Sequence, residues 1–213
     1  MRTRLVLLLA LLLGGLPAVA FAQDDDPDRD RDRRRPKSRG LREVSDEAGR
    51  SRRQGFWLSA GLGVGGESFD ARDGLGWSDR TTGGVGYIKL GGTLNRNLLL
   101  GAEAQGWSNH YYEADYDRTL GSLMGIVQWY PDGRGDFWLR GGLGFAWDEL
   151  DFYGSPPANI TTRRSGTAFA IGLGYDARVG RKISVTPQLD FMAQRYDTHD
   201  ERVVSFGVGI TFH

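Results

Sequence analysis

The sequence predicts an all-β chain: eight antiparallel strands wound up and down into a closed transmembrane β-barrel, preceded by a disordered, charged N-terminal tail. Two patterns carry this reading. Apolar residues recur at every second position in eight separate segments, the period of an extended strand with one greasy face. The connectors between those segments alternate short and long, as they do when turns lie on one side of a membrane and loops on the other.

The closing stretch, 201–213, reads E-R-V-V-S-F-G-V-G-I-T-F-H and shows the alternation best. Val204, Phe206, Val208, Ile210 and Phe212 share one face, and Ser205, Gly207, Gly209 and Thr211 share the other. Eight such greasy faces exceed what one interior core can hold. They are therefore assigned to lipid, with the small and polar faces turned to a lumen. A sheet inside a membrane cannot leave an edge unpaired, so the last strand is expected to pair with the first.

Composition agrees. A chain of 213 residues supplies one domain plus tails, and its 32 glycines and 11% aromatics suit an all-β protein. A formal net charge of zero argues against nucleic acid as the main partner. The absence of cysteine excludes disulfides and thiolate metal sites. A mean hydropathy of −0.42 is too polar for a bundle of membrane helices but not for a barrel, half of whose strand residues are small or polar.

Taken in order, residues 1–22 read as a cleavable secretory signal. Arg2 and Arg4 supply the positive start, Leu5 to Leu13 the apolar run, and Ala20-Phe21-Ala22 the small-x-small cleavage site. Residues 23–53 are dense in Asp, Arg and breakers, with almost nothing to bury, and are expected to be a disordered linker. Its Arg33, Arg34, Arg35 and Lys37 could tether peptidoglycan or anionic lipid, against the plainer reading of a solvated spacer. The barrel domain is placed at 54–213, with strand segments at 55–65, 83–94, 98–107, 119–130, 136–147, 165–179, 183–195 and 201–213. Each is about the length that a tilted strand needs to cross a bilayer. The short connectors are 95–97, 131–135 and 180–182; the long ones are 66–82, 108–118, 148–164 and 196–200.

Aromatics cluster at segment ends, as interfacial girdles do. Phe56, Trp57, Trp129, Tyr130, Phe137, Trp138 and Phe212 fall at the turn side; Trp107, Tyr111, Tyr112, Trp147, Phe152, Tyr153 and Tyr196 fall at the loop side. Pro187 interrupts the seventh segment and has no ladder proton to donate, which predicts a local bulge.

The lumen row carries Lys89, Glu103, Gln128, Arg140, Asp176, Arg178 and Asp190, with three acids balancing three bases. Turn positions put Lys89 across from Glu103 and Gln128 across from Arg140, where opposite or hydrogen-bonding groups help. An eight-stranded barrel is only wide enough for side chains to fill, so these residues are expected to form a hydrogen-bonded plug. A gated ion path stays open beside it, because Gly61, Gly63, Gly65, Gly172, Gly174, Gly207 and Gly209 leave room for water. No catalytic, cofactor or metal set is read. The acids of the loop side (Asp148, Glu149, Asp151, Asp197, Asp200 and Glu201 among them) form a solvated rim that could share divalent cations with a phosphorylated lipid surface. His110, with Ser108 and Glu113 near it, is the only Ser/His/carboxylate grouping, and is read as an exposed surface histidine.

The alternating segments, the aromatic ends, the charges at Lys89, Glu103 and Arg140, and the closing G-V-G-I-T-F together resemble the small eight-stranded outer-membrane barrels of the OmpA/OmpX type. This group is often labelled outer-membrane β-barrel domain or porin-family proteins. The resemblance covers 55–213 and implies the outer membrane of a Gram-negative envelope, reached by the secretory pathway, with the tail in the periplasm. It implies contact with outer-membrane lipid and lipopolysaccharide. It also implies an assembly signal at Phe206, Val208, Ile210 and Phe212 for the barrel-assembly machinery, although here His213 follows the usual terminal aromatic. The expected role is structural or surface-interacting, with a closed lumen and no enzyme activity. The alternatives are a small low-conductance channel and a lipid A-modifying enzyme, whose deacylase pattern His-x-Ser is reversed here in Ser108-Asn109-His110. A soluble lipocalin-like carrier would need the charged row to line a greasy cavity.

Overall fold

The computed structural model describes residues 55–112, 115–133, 135–152, 160–180 and 182–213. The stretches expected to be a signal (1–22) and a linker (23–53), with Arg33, Arg34, Arg35 and Lys37, lie outside the described residues.

Alternating sequence becomes alternating strand throughout. The strands are β1 (Phe56–Asp70), β2 (Thr81–Asn95), β3 (Leu98–Tyr111), β4 (Tyr116–Trp129), β5 (Phe137–Phe152), β6 (Ile160–Tyr175), β7 (Ala177–Arg178), β8 (Ile183–Arg195) and β9 (Asp200–Phe212). β7 continues β6 after a one-residue break at Asp176, so the chain makes eight spans. Every neighbour is antiparallel; β1 pairs with β9 from Leu58↔Phe212 to Asp70↔Asp200, and β6 pairs with β8 to close the ring. The first-with-last pairing that edge avoidance requires is therefore present.

Several strands are longer than the segments counted from sequence, and the excess is on the loop side. β1 and β5 contain 15 and 16 residues, whereas a bilayer needs about 9–11 in a tilted strand. The cylinder thus projects beyond the apolar belt by several residues at that end, and the residues on this projection are not loop.

The belt faces outward. On β5, Phe137, Leu139, Leu143 and Phe145 are exposed, while Trp138, Arg140 and Ala146 are buried. On β9, Phe206, Val208, Ile210 and Phe212 are all exposed and the residues between them buried. Burying apolar side chains inside and exposing polar ones is the rule in water; here its inversion marks a wall built for hydrocarbon.

Pro187 produces no bulge. β8 pairs through it with β9, Pro187 facing Val208, and the register against β6 and β7 stays constant from Leu173↔Leu189 to Ala177↔Val185. The missing N–H is absorbed instead by a gap in pairing beside Tyr175 and Asp176, at the one break between β6 and β7. Losing one or two ladder bonds near a turn is evidently cheaper than re-aiming a row of side chains.

Candidate functional site

The inward-facing polar side chains gather in two tiers. The turn-side tier is centred on Arg140 of β5, which sits between Glu103 of β3 and Asp190 of β8. Arg140 Nη2 donates to Asp190 Oδ1 at 2.7 Å, and Nη1 pairs with Glu103. Gln188 Nε2 donates to the other Asp190 oxygen at 2.5 Å. Lys89 does stand opposite Glu103 in the backbone register, and Gln128 opposite Arg140. Yet neither couple bonds as its register suggests. Lys89 Nζ donates to Gln188 Oε1 at 2.6 Å and lies over the rings of Tyr87 and Trp138. Gln128 donates to Tyr130 Oη, which donates to Asp176 Oδ2, both at 2.7 Å. Long side chains reach across an eight-stranded cylinder as easily as to the next strand, so charge finds its partner through the lumen.

Asp176, at the break in strand pairing, is the hub of the turn-side end. Trp138 Nε1 donates to it at 3.1 Å and Thr186 Oγ1 at 2.9 Å, and His213 Nε2 lies 3.4 Å away. His213 thus folds inward while Phe212 faces out. Arg178 does not join the cluster: it stands at the turn-side mouth, partly exposed, and pairs with Asp136 at 2.7 Å. The register places it on the inward row, but one step past the closed stack, where solvent and a nearby carboxylate win.

The lumen glycines are seats for rings. A Cβ on Gly61 or Gly209 would come within 2.4 or 2.1 Å of Tyr87 Oη, and one on Gly174 within 2.3 Å of Trp138. The space expected for water at these three positions is taken by aromatic side chains. The aromatic doublets explain this. In Phe56-Trp57, Trp129-Tyr130 and Phe137-Trp138 the first residue faces lipid, and the second is no more than 1% exposed. Trp107 and Tyr196, placed in a girdle by sequence, also point inward.

The loop-side tier was not anticipated. Arg118 of β4 pairs with Glu67 of β1 at 3.4 Å, with Asp148 of β5 at 3.3 Å, and with Glu201 of β9. His199 Nε2 lies 2.8 Å from Glu201 Oε1 and 3.6 Å from Asp148 Oδ2. Asp148 and Glu201 are therefore buried lumen residues, not members of a solvated rim. Glu67, Arg118, Asp148 and Glu201 lie beyond the last greasy outward residue of their strands, which on β1 is Val64, and His199 lies in the connector between β8 and β9, all above the membrane-spanning part. Burial pushes the Glu67 carboxyl up to about 7, with Glu201 and Asp148 adding to the push and Arg118 opposing it. Burial also holds the Tyr196 hydroxyl far above its ordinary range. Below this tier, Gln194 joins Tyr196 Oη to the Gly121 carbonyl.

On the outer wall of the loop end, His110 Nδ1 is 2.6 Å from Asp117 Oδ1, and Ser108 Oγ is 3.2 Å from Thr119 Oγ1. The carboxylate beside the histidine is thus Asp117, its partner across the β3–β4 ladder; Glu113 lies outside the described residues.

A closed antiparallel barrel of eight spans, apolar outside and charged inside, has the architecture of the small outer-membrane β-barrels. Solved structures of that class share the fold. The attachment invasion locus protein Ail of Yersinia pestis superposes with a TM-score of 0.57 at 15% identity, over 75% of this chain and 99% of that one. Neisserial surface protein A superposes with a TM-score of 0.50 at 14% identity, over 74% and 96%. No family model matches the sequence, and no curated protein does.

Proposed function

We propose that the chain is an integral outer-membrane protein with a sealed lumen, which acts through its surface rather than as a conduit. The observation that supports this best is the buried Glu103–Arg140–Asp190 group, closed around by Tyr87 and Trp138 on their glycine seats. A path for ions would have to break a desolvated ion network and displace two rings. The outward face offers what a phosphorylated lipid needs. Arg163, Arg195 and Arg202, on β6, β8 and β9, stand just past the greasy belt, with Arg202 stacked 3.7 Å over Trp77. Arginine suits the phosphates of lipopolysaccharide by its forked donors. The row Phe206, Val208, Ile210 and Phe212 would serve the barrel-assembly machinery, and Arg33, Arg34, Arg35 and Lys37 would hold peptidoglycan or anionic lipid on the periplasmic side. In planar-bilayer recordings the purified protein should show no steady conductance; a stable open current would refute the sealed lumen.

The His110–Asp117 pair favours a second reading, a lipid A hydrolase of the outer leaflet, because a carboxylate on Nδ1 orients an imidazole for base catalysis. Mass spectrometry of lipid A with and without expression decides between the two. The surface-protein reading expects an unchanged acyl pattern. A missing acyl chain that returns in His110→Ala would establish the enzyme.

A further inference from the structure

We propose that the loop-side end of the lumen is a binding site for one divalent transition-metal cation of the zinc class, held by His199, Asp148 and Glu201. One ligand atom from each of these buried residues lies within 4.8 Å of the other two. Zinc bonds of about 2.0–2.2 Å to imidazole nitrogen and carboxylate oxygen set tetrahedral ligand atoms roughly 3.3–3.6 Å apart. The 3.6 Å separation of His199 Nε2 from Asp148 Oδ2 already fits that edge.

The imidazole is arranged as a metal ligand is. Its Nδ1 lies 2.9 Å from Thr198 Oγ1. A proton on Nδ1 donated there leaves the Nε2 lone pair facing the two carboxylates, the outer-shell arrangement that metal-bound histidines show. The segment carrying His199 is clamped as well. Arg72 Nη2 donates to the Tyr196 carbonyl at 2.9 Å and to the His199 carbonyl at 3.4 Å. The imidazole stacks on the Tyr196 ring at 4.6 Å. A ligand held this firmly loses little freedom on binding.

One oxygen of the set stands without a donor. Glu201 Oε1 accepts from Arg118, but Oε2 is sealed from solvent and accepts no hydrogen bond. A buried carboxylate oxygen with no donor is costly, and a cation beside it removes that cost. Charge points the same way: Asp148 and Glu201 share the guanidinium of Arg118, which Glu67 also contacts. An imidazole in the set selects zinc and its neighbours over calcium and magnesium, which take oxygen shells.

The test uses the full-length protein extracted in detergent, stripped with a chelator and dialysed against zinc chloride in excess calcium and magnesium, with metal per chain read by mass spectrometry. Cold-versus-boiled electrophoresis confirms that each variant is a closed barrel. One zinc per chain is expected. Thr198→Ala should weaken binding about 10-fold or more, Thr198→Ser should restore it, and His199→Ala should weaken it further. His110→Ala, at the other described imidazole–carboxylate pair on the loop side, should change nothing. Asp148→Asn gives the same answer as His199→Ala if the latter fails to close. Equal zinc affinity in wild type, His199→Ala and Asp148→Asn would overturn the site, as would stoichiometric binding that calcium or magnesium displaces.

Discussion

Replacing Arg140 by alanine should cost about 3–5 kcal/mol of folding stability, because removing one member of a buried charge group strands the others. The strand origins explain why the cost cannot be relaxed away. Glu103 comes from β3, Arg140 from β5 and Asp190 from β8, and all three are buried. With the guanidinium gone, two carboxylates would remain in a packed space with too few donors between them. Lysine should recover only part of the loss, since an ammonium lacks the planar fork that reaches both acids. The triple variant Glu103→Gln, Arg140→Met, Asp190→Asn should recover most of it, because matched neutral groups carry no stranded charge. Urea unfolding in detergent, followed by the fluorescence of the buried Trp57, Trp107 and Trp138, measures each step. A loss under about 1 kcal/mol for Arg140→Ala, the range of a surface pair, would show that the group is wetter than its burial implies.

The residues of that group were readable from sequence because they sit where alternation is cleanest. Between Val85 and Lys89, or Trp138 and Gly144, parity alone assigns each side chain to lipid or lumen. What parity does not give is the partner across the cylinder, which depends on which strands face each other after closure. Hence Lys89 was matched with Glu103 but bonds Gln188. The loop-side tier was missed for a different reason. The segments were ended where greasy residues stopped, whereas strand pairing continues until the chain must turn. Carrying the alternation of β1, β4 and β5 outward puts Glu67, Arg118 and Asp148 on the inward row, and Glu201 stands on that row at the first position of its own segment, so the signal was present without an apolar marker. His199 carried no such signal, because its place depends on Arg72 clamping a connector from 127 residues away. The aromatic doublets follow the same rule: position along the strand puts both rings near an interface, and parity turns the second of each, Trp57, Tyr130 and Trp138, into the lumen.

An arginine in place of Leu143 tests the inversion of the whole molecule. Leu143 is 69% exposed, sits midway along the greasy row of β5, and lies opposite Gly125 and Phe169 on the neighbouring strands. If that row faces hydrocarbon, a charge there should cost about 2–4 kcal/mol in lipid, the penalty near a bilayer midplane. Ser165 faces outward too, opposite Trp147 but beyond the belt, and Ser165→Arg should cost no more than about 1 kcal/mol, the interfacial figure. The contrast matters more than either value, since strand propensity and local packing differ little between two outward sites on paired strands. Reversible unfolding from phospholipid vesicles gives both numbers. A wall facing water would accept both arginines alike, because an exposed leucine on a soluble surface is replaced by a charge at little cost. Equal costs would therefore remove the barrel from the membrane, whatever the closure of its sheet. A gap of about 1 kcal/mol or more, the least separation of the two ranges, would fix both the orientation of the wall and the depth at which it sits.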